Sequence, residues 1–97
     1  MPTLPEICEI VTARAKGRIK GTVCLDMPDL GTLFVDETGA VVSDQKAEIT
    51  LTAKSDVFSN IVNGSQNPAT AFMTGKLKVD GNPMRALKIG EILSTDP

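Results

Sequence analysis

The ionisable side chains of this 97-residue chain are ten lysines and arginines, twelve aspartates and glutamates, and two cysteines, with no histidine and no tyrosine. The commonest general acid/base at neutral pH and the commonest metal ligand are therefore both missing. Cys8 and Cys24 lack the spacing of a CxxC pair, so thiol exchange and a structural zinc site have little support. With no secretion signal ahead of them, they read as small buried hydrophobes in a reducing, cytoplasmic compartment. Asp36-Glu37 and the Asp26 and Asp29 pair fall at the ends of expected strands, where carboxylates usually just terminate pairing. Neither a P-loop nor a GxGxxG phosphate cradle occurs. The expectation is a protein that is not an enzyme, with no catalytic residue, no metal and no cofactor.

The cations are more suggestive. Arg14, Lys16, Arg18 and Lys20 form the densest charge cluster, read either as a solvated face that complements a helix dipole or as a weak dock for an anionic membrane or partner. A second group stands in the stretch AFMTGKLKVDG, where Phe72 and Met73 precede a polar turn and Leu77 and Val79 alternate with Lys76 and Lys78. Arg85 and Lys88 share a later helix face. If strand and helix meet at a cavity mouth, Lys76, Lys78, Arg85 and Lys88 can gather an anionic headgroup. A nucleic acid is not expected: the net charge is −2 and only three side chains are aromatic, all of them Phe.

These residues need elements to hold them. Thr3 and Glu6 have capping-box spacing, Leu4, Ile7, Cys8 and Val11 share a face, and Gly17 suits a stop, so a helix is expected over about 4–16. From Arg18 the period changes to two, with Ile19, Gly21, Val23 and Leu25 set against Lys20, Thr22, Cys24 and Asp26. Turns at 27–31 and 37–39 lead into strands over 32–36 and 40–42, an antiparallel meander, and 46–53 alternates again as a fourth strand. Ser55 is expected to cap a helix that carries Val57, Phe58, Ile61 and Val62 and ends at Gly64, while Asn63-Gly64-Ser65 reads as a turn. Asn67-Pro68 restarts a short helix through Met73, a fifth strand spans 76–80, and Asn82-Pro83 opens a helix over about 83–93. No apolar run approaches the roughly 20 residues that cross a bilayer.

In that last helix Arg85, Lys88 and Glu91 make a narrow polar stripe, and Met84, Ala86, Leu87, Ile89, Ile92 and Leu93 cover most of the rest. Its apolar surface fits a helix seated in a groove or a lid over a lipid-sized space.

The segment SDVFSNIVNGSQNPATAFMTGKLKVDGNPMRALKIGEIL resembles the closing section of the sterol carrier protein type two (SCP2) domain, and the order of elements agrees over nearly the whole chain. The resemblance implies an α+β fold over residues 1–97. It would be a single lipid-binding domain with a curved, five-stranded, largely antiparallel sheet covered by helices, in the order helix-β-β-β-β-helix-helix-β-helix. It implies an apolar tunnel for a fatty acyl chain, acyl-CoA, phospholipid or sterol. Phe58, Ile61, Val62, Phe72, Met73, Leu77, Val79, Met84, Leu87 and Ile89 are the candidate walls, with Lys76, Lys78, Arg85 and Lys88 at the mouth. The chain is short for that family and poor in aromatics, which implies a small or closed tunnel. It also ends Thr95-Asp96-Pro97, without a peroxisomal tripeptide. The function expected is a lipid carrier, a monomer or weak homodimer with transient membrane contact. Two alternatives stand beside it: an accessory module with a filled core whose last helix docks a partner, and a domain that presents a substrate tail to an enzyme.

Overall fold

The structure is a computed structural model and describes residues 3–94; the closing tripeptide lies outside the described residues. The elements run α1 (Leu4–Ala15), β1 (Val23–Met27), β2 (Gly31–Asp36), β3 (Gly39–Val42), β4 (Ile49–Thr52), α2 (Ser55–Val62), α3 (Pro68–Met73), β5 (Lys78–Asp80) and α4 (Pro83–Leu93). This is the expected α+β order.

Helix α1 starts where Thr3 accepts the Glu6 backbone N–H. Ile7, Val11 and Ala15 recur on one helical face and are fully buried. Gly17 stops the helix in the left-handed region, φ +74°, and its N–H donates to the Glu37 carbonyl at 2.9 Å.

The sheet order is β3-β2-β1-β4-β5. Every adjacent pair is antiparallel except β1 with β4. Leu25 lies between Leu33 and Leu51, and Val23 between Val35 and Ile49. Because side chains alternate along a strand, this register gathers six branched aliphatics on one face. The helices cover that face: Ile7, Val11, Phe58, Ile61, Ile89 and Leu93 join the same core.

Helix α1 also closes the β3 edge. The Thr12 hydroxyl accepts the Ala40 N–H at 3.0 Å and donates to the Ala40 carbonyl at 3.2 Å, and the Cys8 thiol donates to that carbonyl at 3.3 Å. The Ala40 backbone groups, which could otherwise template another strand, are thus satisfied internally.

Four local expectations need correction. β1 begins at Val23 rather than Arg18, because Gly21 takes φ +82° and breaks the extended run, although Ile19 is buried. Cys24 is buried, as expected of a small hydrophobe, but it lies on the face away from the helices, so the correction is that this second face is covered at Cys24 rather than open. The chain between β3 and β4 passes over it: Ser43 N–H donates to the Thr32 carbonyl and Glu48 N–H to the Thr22 hydroxyl. Burial first, then the charges of Asp26 and Asp44, push the Cys24 thiol pKa up. The third correction is at α2, where Lys54 is the N-cap residue and offers no side-chain bond. Asp29 supplies the cap from the β1–β2 turn, accepting both the N–H and the hydroxyl of Ser55. Finally, β5 begins at Lys78 because residues 74–77 are used to close α3.

Candidate functional site

Two open clefts flank the helical layer. The first, about 360 Å³, is lined by Arg18, Ile19, Lys20, Arg85, Lys88, Ile89 and Ile92. The loop between α1 and β1 brings the first three, and α4 brings the other four at helical spacing. Ile19 and Ile89 are buried members of the core and Ile92 packs against it, so the floor is apolar and continuous with the interior. Four cations line the rim, and no carboxylate is among the lining residues.

Two rim positions are already engaged, the first by Arg18 Nη1 donating to the Arg14 carbonyl at 3.2 Å. Arg85 Nη1 donates to Glu48 Oε2 at 3.1 Å, and Nη2 donates to the Lys20 carbonyl at 3.4 Å. The pair sits directly over Gly21, where an added Cβ would fall 2.9 Å from Glu48 Oε2 and 3.0 Å from Arg85 Nη2. Glycine is needed there for both its left-handed φ and its missing side chain.

The second cleft, about 370 Å³, is lined by Lys54, Asp56, Val57, Asn60, Gln66, Gly75 and Lys76. The cations expected at one mouth therefore divide. Arg85 and Lys88 join Arg18 and Lys20 of the N-terminal basic run, Lys76 stands at the second cleft, and Lys78 lines neither.

The expected wall residues divide as well. Phe58, Ile61, Val62, Leu77 and Ile89 lie buried in the core, with Val79 packed against it and Leu87 half-buried. Phe72, Met73 and Met84 face water, at 37, 84 and 82 % exposure. Geometry explains the split. Helix α3 buries Pro68 and Ala71, one turn apart, which leaves Phe72 and Met73 on other faces. Helix α4 buries Ala86, Ile89, Gly90 and Leu93, and Met84 lies about 200° around the helix from Ala86. Ile19 and Ile92 are the cleft residues that sequence reasoning did not place in a site, and Arg18 and Lys20, read as a solvated face or a weak anionic dock, were not expected beside Arg85 and Lys88. The signal for Ile19 was an isoleucine inside the basic run.

Pro68 also fixes how α3 meets α4: a Cβ on Gly90 would lie 2.7 Å from its Cβ. At the other end of α4, Arg14 Nη1 donates to the Leu93 carbonyl at 3.2 Å, so a cation from α1 neutralises the negative end of the α4 dipole.

Residues 10–94 match the sequence model of the SCP-2 sterol transfer family. The chain belongs to that family. Among curated relatives, the fatty acid-binding protein of Yarrowia lipolytica is 51% identical over 47 residues, which cover 48% of this chain and 36% of that protein. Sterol carrier protein 2 of Gallus gallus is 44% identical over 50 residues, covering 52% of this chain and 9% of that one. The chain thus matches only a part of these relatives. Among solved structures, the apo form of sterol carrier protein 2 from Yarrowia lipolytica has a TM-score of 0.64 at 28% identity, covering 90% of this chain and 73% of that one. The sterol carrier protein from Aedes aegypti, solved as a complex with palmitate, has a TM-score of 0.76 at 18% identity, covering 94% of each chain. The sterol-transfer fold is therefore shared over most of the chain. Among the described residues, no helix is long and apolar enough to cross a membrane, and no cluster of three or more potential ligands could hold a metal ion.

Proposed function

We propose that this sterol-transfer-family chain is a non-enzymatic lipid carrier that takes one acyl tail between its helical layer and its sheet, with the polar end at the basic cleft. The observation that carries the reading is the join between two environments. Arg18, Lys20, Arg85 and Lys88 surround a floor of Ile19, Ile89 and Ile92, and that floor is the rim of the core itself. A fatty acid has the matching order, an anion followed by a long apolar chain. The cleft's volume is near the lower end of small-molecule sites, roughly 300–1,000 Å³. The rest of the tail is accommodated by Phe58, Ile61 and Ile89 yielding from the core they share with the sheet, and by Leu87, half-buried on α4, moving with them. Each methylene buried from water contributes about 0.8 kcal/mol, so about ten supply roughly 8 kcal/mol before ordering and opening costs.

The family supports this reading, as do the palmitate complex of the Aedes aegypti protein and the fatty acid-binding name of the Yarrowia lipolytica relative. Both cysteines are free thiols, which fits work in a reducing cytoplasmic compartment. Native mass spectrometry of protein purified from cells tests the proposal: adducts of lipid mass, or stoichiometric uptake of added palmitate, are expected. A clean apo spectrum that palmitate does not change would defeat it.

A further inference from the structure

The two edges of the sheet are finished differently. At β3 the Thr12 hydroxyl and the Cys8 thiol of α1 occupy the outward backbone groups of Ala40. At β5 nothing comparable is present among the described residues. Ala53 donates its N–H to the Asp26 carbonyl at 3.1 Å, so residues 49, 51 and 53 turn their backbone groups toward β1. These directions alternate along a strand, and Thr50 and Thr52 therefore turn theirs toward Asp80 and Lys78. Val79, between those two, points its N–H and C=O out of the sheet, and neither finds a hydrogen-bond partner among the described residues. An edge strand in this state is a template for another strand.

The strand also carries its own complement. Lys78 and Asp80 are exposed on the face away from the helices, and neither has a hydrogen bond or ion pair among the described residues. Consider a second copy whose β5 lies antiparallel beside the first with Val79 opposite Val79. The outward groups of the two valines then satisfy each other. The same register sets Lys78 of each copy opposite Asp80 of the other, in the closely spaced positions where cross-strand side chains interact most. Parallel pairing in register would instead oppose Lys78 to Lys78 and Asp80 to Asp80. On the helical face, half-buried Val79 gains its counterpart as an apolar neighbour. Charge thus selects a two-fold arrangement, and a second copy over an arbitrary strand.

We propose that the open edge of β5 is a self-association site, at which two copies join antiparallel through Val79, with Lys78 of each paired to Asp80 of the other, into one continuous sheet. The inference does not depend on lipid carriage. Three residues a side make a short ladder, so the association is weak and concentration-dependent, unlike a permanent interface.

Sedimentation equilibrium of the whole chain, from micromolar to millimolar protein, tests it. Wild type is expected to dimerise reversibly, and exchange of the Val79 amide should slow as concentration rises. Lys78→Asp and Asp80→Lys each turn both cross-strand pairs into like charges, and each should raise the dimerisation Kd about tenfold or more. An equimolar mixture of these two variants restores both pairs and should associate as wild type does, as should the double exchange Lys78→Asp/Asp80→Lys. Val42→Lys, at an exposed position of β3, should leave association unchanged. Wild type that stays monomeric at millimolar concentration overturns the proposal. So does a dimer that survives both single reversals, or failure of both the mixture and the double exchange to recover association. A loss confined to Val42→Lys would place the contact at β3 and overturn it too.

Discussion

The carboxylate of Asp29, in the turn between β1 and β2, holds both polar groups at the front of Ser55: Oδ1 accepts the backbone N–H at 2.9 Å and Oδ2 accepts the hydroxyl at 2.6 Å. Ser55 is the first residue of α2, so a turn on the sheet caps a helix that covers the core. The Ser55 hydroxyl, and after it the Ser55 N–H, hold the Asp29 pKa below the ordinary aspartate value. A carboxyl lowered in the folded state contributes stability above its unfolded pKa and loses it as pH falls through the folded one. Asp29→Asn is therefore expected to be less stable than wild type at neutral pH and to converge with it below about pH 4. Urea midpoints across the acid range check this. Some acid sensitivity should persist in the variant, since the Thr38 hydroxyl and N–H lower Asp36 in the same direction. Parallel curves for the two proteins would show that the ionised Asp29 carboxylate contributes nothing that depends on pH.

Gly90 interrupts an otherwise good helix and permits α3 to approach α4. On propensity alone, Gly90→Ala should stabilise by about 1 kcal/mol. The added methyl would sit 2.7 Å from the Pro68 Cβ, a contact that real Cβ atoms do not make. Overpacking of this kind costs about 1–3 kcal/mol, so the expected net effect in urea denaturation is destabilisation. A stabilised Gly90→Ala would show that α3 is free to move away.

The side chains of Arg85 and Glu48 are 48 % and 54 % exposed, and an exposed pair of this kind contributes at most about 1 kcal/mol. Glu48→Gln should leave stability nearly unchanged. Its expected effect is on binding: Arg85 is released toward the cleft, so palmitate affinity rises while methyl palmitate affinity does not. Gly21→Ala should behave differently, because a Cβ at φ +82° costs about 1–2 kcal/mol and displaces the pair as well. Fluorescent fatty-acid displacement, run beside thermal melts, separates the two effects. A Glu48→Gln variant that binds both ligands as wild type does would remove Arg85 from the headgroup's surroundings.

Periodicity carried most of the architecture. Ile49 and Leu51 alternating with Thr50 and Thr52 specify a half-buried strand, and Asn67-Pro68 and Asn82-Pro83 specify helix starts, because each pattern has a local physical cause. What was not legible depended on contacts between distant segments. The Asp29 cap on Ser55 spans 26 residues of sequence, and the cover over Cys24 depends on where the chain crosses between β3 and β4. The parallel pairing of β1 with β4 is likewise invisible to a pattern that records only which side chains alternate. At the candidate site, spacing placed Arg85 and Lys88 on one face but could not bring Arg18 and Lys20 across to them. Met73 and Met84 were expected as wall residues because the family resemblance places them beside the tunnel. Their exposure follows from which arc of each short helix meets the core.

The central claim is that an acyl tail enters the core from the basic cleft. Methyl NMR of isotope-labelled protein titrated with palmitate tests it most directly, since it reads individual isoleucines and leucines and needs no tryptophan or tyrosine. Saturable shifts are expected at Ile19, Ile89, Ile92, Leu87 and Ile61, with Lys88→Glu weakening the uptake and Leu87→Glu weakening it far more. Uptake absent at every palmitate concentration, or shifts confined to methyls outside this set such as the exposed Val41 and Val42, would contradict it.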